Sequence, residues 1–312
     1  MNALLLSAGF GTRLKPLTNI LPKGLMPVNG VPLIEYWMNP LEECTNIEEI
    51  FINTHYKSEL FEQYFNLRNN KKKTTLIHED PILGTGGTIK KNSSLFDNGP
   101  LMVVHADNLS IFSVEDFINS HLKRPERTEL TMMLFETDQP RQCGIVELDE
   151  QKRVVQFHEK VENPPGNLAN AAVYIFENIL QDELLTIKKD FIDLSTEILP
   201  NKMGKINTFL NSNYHRDIGN IESLLNAQIE VYFQSFKNTG PLMSQVITKE
   251  KFENELKTAL KNNINIELRA LIPGENLGAE NTCYYLSSAS ADDDSAVFYE
   301  KHARTLFIFE RN

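Results

Sequence analysis

The chain of 312 residues is 41% hydrophobic and 23% charged, ordinary proportions for a folded protein with a sizeable core, and this excludes a disordered, collagenous or disulfide-built chain. Its 31 Lys and Arg against 42 Asp and Glu leave a net charge of −11, a surface that repels a phosphate backbone, so nucleic acid is excluded as a partner. Cys44, Cys143 and Cys283 are too scattered for a disulfide framework and read as reduced thiols; no run approaches the ~20 apolar residues of a membrane span, and the apolar start is followed by Arg13 and Lys15 instead of being preceded by a basic segment, so the expectation is a cytoplasmic protein with no membrane partner.

Asn2–Ser7 reads as a first strand, almost continuously apolar, as where both faces of a parallel sheet are covered. Pro32–Met38 then reads as a helix, Ile47–Thr54 as a strand, Lys57–Phe65 as a helix, Thr74–His78 as a strand, Gly86–Phe96 as a helix, Leu101–Ala106 as a strand and Val114–His121 as a helix. That alternation implies βαβ units with right-handed crossovers. From Thr128 the texture turns to strands, at Thr128–Phe135, Gly144–Leu148, Arg153–His158, Asn170–Phe176 and Asn207–Asn211, with helical segments at Ser195–Met203 and Asn220–Phe236. The expected fold is α/β: a Rossmann-like, mixed, mainly parallel sheet flanked by helices, with a small C-terminal α+β appendage. The turn-rich Asn238-Thr239-Gly240-Pro241 sets the boundary, giving one domain over residues 1–238 and a module over 239–312. The module begins with an amphipathic helix, Lys249–Asn262, and continues with strands at Ile264–Leu271, Thr282–Leu286, Ala296–Tyr299 and Thr305–Phe309. Its acidic Ser287–Ser295 reads as a solvated loop and not as a metal site. It shows no phosphate loop, nucleophile motif or hexapeptide repeat, so the expectation is oligomerisation or regulation, which leaves a homo-oligomer open.

The richest stretch follows the first strand. Ser7-Ala8-Gly9-Phe10-Gly11-Thr12-Arg13 enters a loop at the carboxyl edge of the sheet, where α/β proteins bind ligands. Small residues let backbone N–H groups approach an anion, Arg13 offers a planar fork for phosphate oxygens, and Lys23 offers a compact charge. The dinucleotide fingerprint fails because position 14 is Leu14, and no P-loop occurs because Gly204-Lys205 continues with Ile206. Taken alone, Gly9 and Gly11 serve equally well as a plain βα turn.

As one string, GFGTRLKPLT (9–18) followed by PKGLMPVNGVPLIEY (22–36) resembles the signature of the sugar-1-phosphate nucleotidyltransferases, which include guanylyltransferases for mannose and heptose 1-phosphates. The resemblance continues through Leu83-Gly84-Thr85-Gly86-Gly87, through Val103–Asp107, through Phe157-His158-Glu159-Lys160 and through Asp217-Ile218-Gly219, covering about residues 1 to 236. It implies a fold of the nucleotide-diphospho-sugar transferase, GT-A-like kind. It implies an enzyme that joins a nucleoside triphosphate to a sugar 1-phosphate with release of pyrophosphate, working by positioning and charge neutralisation.

Carried over residue by residue, the resemblance makes Arg13 and Lys23 the catalytic cations, Arg13 on the leaving pyrophosphate and Lys23 on the α-phosphate. Ser7, Ala8, Gly9, Gly11, Thr12, Gly84 and Thr85 become nucleotide-binding, and Gly144, Glu159, Lys160 and Asn170 sugar-phosphate-binding. Asp107 and Asp217 become the holders of Mg²⁺, a hard cation suited to two carboxylates, phosphates and waters. Each also has a duller reading: Asp107 or Asp217 as a helix cap, Glu159–Lys160 as an exposed pair. His55 reads as a structural polar residue at a strand end, and His78, His105 and His158 are too dispersed for a ligand set. GTP is favoured because His78–Leu83 lacks the glutamine frequent in uridylyl- and thymidylyltransferases. A UTP-dependent uridylyltransferase and a non-catalytic nucleotide-sugar-sensing subunit are the alternatives. The chain departs from the family pattern at Gly24, where proline is common, at Ala106 and Ala172, where glycine is usual, and at His215-Arg216, where an aromatic residue is frequent.

Overall fold

The computed structural model describes residues 1–231 apart from 16, 29–30 and 97–98, together with four strands, 267–271, 282–287, 296–300 and 305–308. β1 (Asn2–Leu6) lies in the middle of a nine-stranded sheet and is buried along its whole length. Its side chains alternate between two cores, Ala3 and Leu5 into one and Leu4 and Leu6 into the other, so both faces of the strand need apolar residues. β1 pairs in parallel with β4 (Glu49–Thr54) and β6 (Leu101–His105), and β4 with β5 (Lys73–His78).

Between these strands lie the short hairpin β2 (Pro27–Val28) and β3 (Val31–Pro32), and the helices α1 (Glu35–Glu43), α2 (Ser58–Leu67) and α3 (Gly84–Lys91). β7 (Asn108–Ile111) and α4 (Val114–Leu122) follow β6. The second half adds β8 (Leu130–Glu136), β9 (Gly144–Leu148), β10 (Val154–Glu159) and β11 (Leu168–Phe176), with β11 antiparallel to β6, β8 and β9. After α5 (Asn178–Thr186), β12 (Ile206–Leu210) pairs in parallel with β8. β13 (Tyr214–Asp217) forms a separate ladder with β7, and α6 (Ile221–Val231) closes the unit. The sheet is therefore mixed, with a parallel centre and helices on its faces, as expected.

The elements differ from expectation in three ways. The first helix begins at Glu35 instead of Pro32, because Val31–Pro32 is held in the hairpin with Pro27–Val28. The helix expected over Ser195–Met203 is a π turn, Leu194–Ile198, running into a 3-10 turn, Leu199–Lys202, since Pro200 cannot donate an α-helical hydrogen bond. β7, α5 and β13 arise where no element was expected. Beyond the unit, β14 (Glu267–Leu271), β15 (Thr282–Ser287), β16 (Ala296–Glu300) and β17 (Thr305–Ile308) form a four-stranded sheet in chain order. The boundary near 239, the expected helix Lys249–Asn262 and all but Ser287 of the acidic loop lie outside the described residues. Among the described residues, no helix is long and apolar enough to cross a membrane.

Candidate active site

At the carboxyl end of β1 the chain must leave the sheet with an unpaired backbone N–H, and a side chain from the neighbouring strand takes it. Ser7 N donates to Asn53 Oδ1 at 2.6 Å, and Asn53 Nδ2 donates onward to Glu79 Oε1 and Thr88 Oγ1, both at 3.2 Å. Glu79 also accepts from the backbone N–H of Leu83 at 3.4 Å, so one buried carboxylate ties the phosphate-loop candidate to the start of α3. Gly11 turns the loop at φ 60°, with its carbonyl accepting from Leu14 N and from the Thr18 hydroxyl, both at 2.9 Å. A Cβ there would stand 2.8 Å from the Thr18 methyl, so glycine is required on two counts.

Lys23 reaches back to this loop from a 3-10 turn, Lys23–Leu25. Its ammonium, on a side chain only 9% exposed, donates to Asp107 Oδ2 at 2.9 Å and to Asp217 Oδ1 at 3.3 Å. Asp107 follows β6 directly, and Asp217 ends β13, whose ladder with β7 pairs it with Asn108. The indole of Trp37, buried in α1, donates to the Asn108 carbonyl at 2.8 Å and so anchors that ladder to the main body. Burial acts to raise the Asp107 pKa, but the Lys23 charge and hydrogen bond prevail and hold it below the usual carboxylate range. Beneath it, burial pushes His105 down. His105 Nε2 and the Ser7 hydroxyl are the two buried side-chain polar atoms without a partner among the described residues.

Ser7, Gly9, Gly11, Thr12, Arg13, Lys23, Asp107 and Gly219 line one cavity of about 170 Å³. A Cβ on Gly219 would lie 3.1 Å from Arg13 Nη2 and 2.8 Å from Asp217 Oδ2, which puts the guanidinium near the Asp217 carboxylate. Ala8 is buried and lies outside the lining. Neither aspartate is a helix cap: β7 follows Asp107, and α6 is capped by Asn220, whose Oδ1 accepts from Ser223 N at 2.8 Å.

A second cavity, of about 560 Å³, adjoins the first through Arg13 and Gly219. Lys160, Cys143, Arg141, His215, Arg216 and Asp217 are among its walls. Of the expected sugar residues only Lys160 lines it. Glu159 stands opposite Gly144 on the β9–β10 ladder and pairs with Lys160 at 3.4 Å, an exposed pair. Asn170 spends its amide within β11, donating to the Tyr174 hydroxyl at 2.7 Å and accepting from Ala172 N at 2.9 Å. Ala172, at the position where glycine is usual, adopts φ 55° in a break of the β8–β11 register.

Gly84 and Thr85 lie away from both cavities. Gly84, at φ 75°, packs so closely on the segment behind it that a Cβ would come within 2.6 Å of the Ile192 carbonyl oxygen. The Thr85 hydroxyl accepts from Leu194 N at 2.8 Å. His55 is held at the end of β4, its Nδ1 2.6 Å from the Glu79 carbonyl, and no group of three or more metal-ligating side chains forms among the described residues.

The motif pattern missed Asn53, whose register opposite Leu6 places it at the loop, and it missed His215. His215 Nδ1 lies 2.6 Å from the Ser110 hydroxyl, with Phe135 against its ring at 4.2 Å between centroids. Burial and then the Arg216 charge push its pKa down to about 3, so the imidazole is neutral at physiological pH.

Residues 2–233 match the family described as nucleotidyl transferase. A mannose-1-phosphate guanylyltransferase of Mycobacterium tuberculosis is 30% identical over 236 residues, 74% of this chain and 64% of that protein. A D-glycero-alpha-D-manno-heptose 1-phosphate guanylyltransferase of Aneurinibacillus thermoaerophilus is 28% identical over 236 residues, 98% of its length. A solved UDP-glucose pyrophosphorylase superposes with a TM-score of 0.63 at 22% identity, over 75% of this chain and 98% of that one, a likeness of fold of the GT-A-like kind. The chain spans less than two thirds of the length of the curated relatives it matches first.

Proposed function

Since this chain belongs to the nucleotidyl transferase family, we propose that it transfers GMP from GTP to a sugar 1-phosphate of the mannose or heptose type, releasing pyrophosphate for nucleotide-sugar synthesis. The observation that carries the proposal is the meeting of Lys23 with Asp107 and Asp217, from 84 and 194 residues away, where the cavity that Arg13, Gly9, Gly11, Lys23 and Asp107 line adjoins the one that Asp217 lines. Two carboxylates gathered around one ammonium form a pocket that takes a cation, and their hard oxygen donors fit Mg²⁺. Mg²⁺ held by Asp107 and Asp217 would neutralise charge on the reacting phosphates.

The chain's own residues do the rest. Lys23 leaves its carboxylates for the α-phosphate, where negative charge accumulates as the sugar phosphate oxygen attacks the α-phosphorus. The bond from that phosphorus to the bridging oxygen breaks, and the electron pair departs with pyrophosphate. Arg13, near the Asp217 carboxylate, neutralises that leaving group. Backbone N–H groups of the Ser7–Thr12 loop receive phosphate oxygens, with Asn53 holding the loop's first N–H in place. Support for GTP lies in the absence of an amide side chain from His78–Leu83 and in relatives named as guanylyltransferases. For residues 239–312 the proposal is an oligomerisation or regulatory module.

Pyrophosphate release is the test, with GTP, UTP, ATP, CTP and dTTP each offered against mannose, glucose, N-acetylhexosamine and heptose 1-phosphates. Release with GTP and one acceptor, lost in Asp107→Ala, is the expected result. Release with UTP alone reassigns the base, and silence across the panel with nucleotide sugar still bound in calorimetry replaces the enzyme with a sensing subunit.

A further inference from the structure

Resting on the transferase reading above, we infer that His215 is a binding residue for the acceptor sugar, presenting a fixed neutral Nε2–H to one sugar hydroxyl in the larger cavity. Position in the strand is the first ground. His215 and Asp217 are two residues apart on β13, so their side chains leave the same face about 7 Å apart along the strand. Arg216 also borders the cavity, but its guanidinium goes with the Tyr214 hydroxyl to Glu230 of α6. Asp217 is in contact with Lys23, so the imidazole stands about one sugar ring further from the reacting phosphates, on the wall it shares with Lys160.

Hydrogen-bond accounting is the second ground. Ser110 lies opposite His215 on the β7–β13 ladder and is 2% exposed, and among the described residues its hydroxyl has His215 Nδ1 at 2.6 Å as its single side-chain partner. Were Nδ1 the donor, the hydroxyl hydrogen would be buried with no acceptor, which is costly. The hydroxyl therefore donates, Nδ1 accepts, and the ring hydrogen sits on Nε2. Nε2 has no protein partner among the described residues, yet it is not among the sealed, unpartnered atoms, so it opens to the cavity that His215 lines. Phe135 against the ring limits its rotation. A neutral, oriented donor of this kind suits an uncharged hydroxyl, and the phosphate is left to Lys160, Lys23 and Arg13.

The experiment compares the wild-type chain, His215→Phe and His215→Gln in the pyrophosphate-release assay. It uses the acceptor sugar 1-phosphate found for the wild type and its monodeoxy analogues. In His215→Phe the acceptor KM should rise about tenfold, while kcat and the GTP KM stay within about twofold, and His215→Gln, which keeps a donor, should recover most of the loss. One monodeoxy acceptor should lower kcat/KM for the wild type by a similar factor and cost His215→Phe nothing further, a pairing that a merely structural histidine does not produce. An unchanged acceptor KM in His215→Phe, or an equal penalty on every deoxy acceptor, overturns the inference while leaving the transferase intact. A wild-type chain that releases no pyrophosphate with any pair overturns the reading and the inference together.

Discussion

Among the described residues three cations each lie between two carboxylates, Lys23, Arg68 and Lys202, and the first two are built to opposite ends. Arg68, at the end of α2, clasps Glu35 through Nε and Nη2 and Glu42 through Nη1 and Nη2, at 2.6 to 3.0 Å. Asn70 accepts a further Arg68 hydrogen, Tyr64 donates to Glu35, and Lys71 N donates to Glu42. All three charged side chains are at most 1% exposed. Lys23 also holds two carboxylates, but those of Asp107 and Asp217 remain 40% and 56% exposed and keep oxygens free. A planar fork with every partner satisfied makes a structural clamp between α1 and α2. A single rotatable ammonium with half-open partners makes a site from which the cation can leave. What separates scaffold from chemistry here is the degree of completion, and not the residue classes.

Breaking the closed triad should have the largest effect. Arg68→Met leaves two carboxylates buried without a countercharge, and unfolding free energy in urea should fall by about 3–5 kcal/mol. Next comes the open triad, where stability and activity should separate. Lys23→Met should lower kcat by about 10² to 10³-fold while the melting temperature stays within a few degrees. The same variant should bind Mn²⁺ more tightly without nucleotide, read by electron paramagnetic resonance, because the two carboxylates have lost their internal cation. A large melting shift for Lys23→Met with no kinetic effect would reverse the two roles.

The contrast extends to buried histidines. His121 bonds Thr131 and Glu177 at 2.9 and 3.1 Å, and burial, with Arg124 adding to it, lowers its pKa in spite of Glu177. The unfolded chain then takes up its proton first, so stability present above the ordinary histidine value of about 6.5 is lost as pH falls below it, by roughly 1.4 kcal/mol per unit for each such group. His105 and His215 act in the same direction. Denaturation at pH 7.5, 6 and 5 should show this slope, reduced in His121→Gln. The smallest effect is at Ala172, whose left-handed backbone suits glycine: Ala172→Gly should stabilise by about 1 kcal/mol in the same assay.

Much of the sheet was legible because β1 and β6 carry continuous apolar runs, which few other structures demand. β7 and β13 were not, since Asn-Leu-Ser-Ile and Tyr-His-Arg-Asp are four-residue strands that are fixed by pairing with each other and not by a hydrophobic pattern. That Lys23, Asp107 and Asp217 come together near Arg13 was legible from their motifs. That Lys23 bridges the two aspartates, that Ser110 orients His215 and that Asn53 secures Ser7 depend on contacts between distant segments, which spacing along the chain does not encode.

Asp217 lies about 110 residues after Asp107 in the chain. At a synthesis rate of roughly 5 to 20 residues per second, a nascent chain that already carries Lys23 and Asp107 waits about 5 to 20 seconds for the second carboxylate to be made. Through that interval the ribosome holds the Ser7–Thr12 loop with Lys23 and one aspartate, and β7 without the strand that completes its ladder.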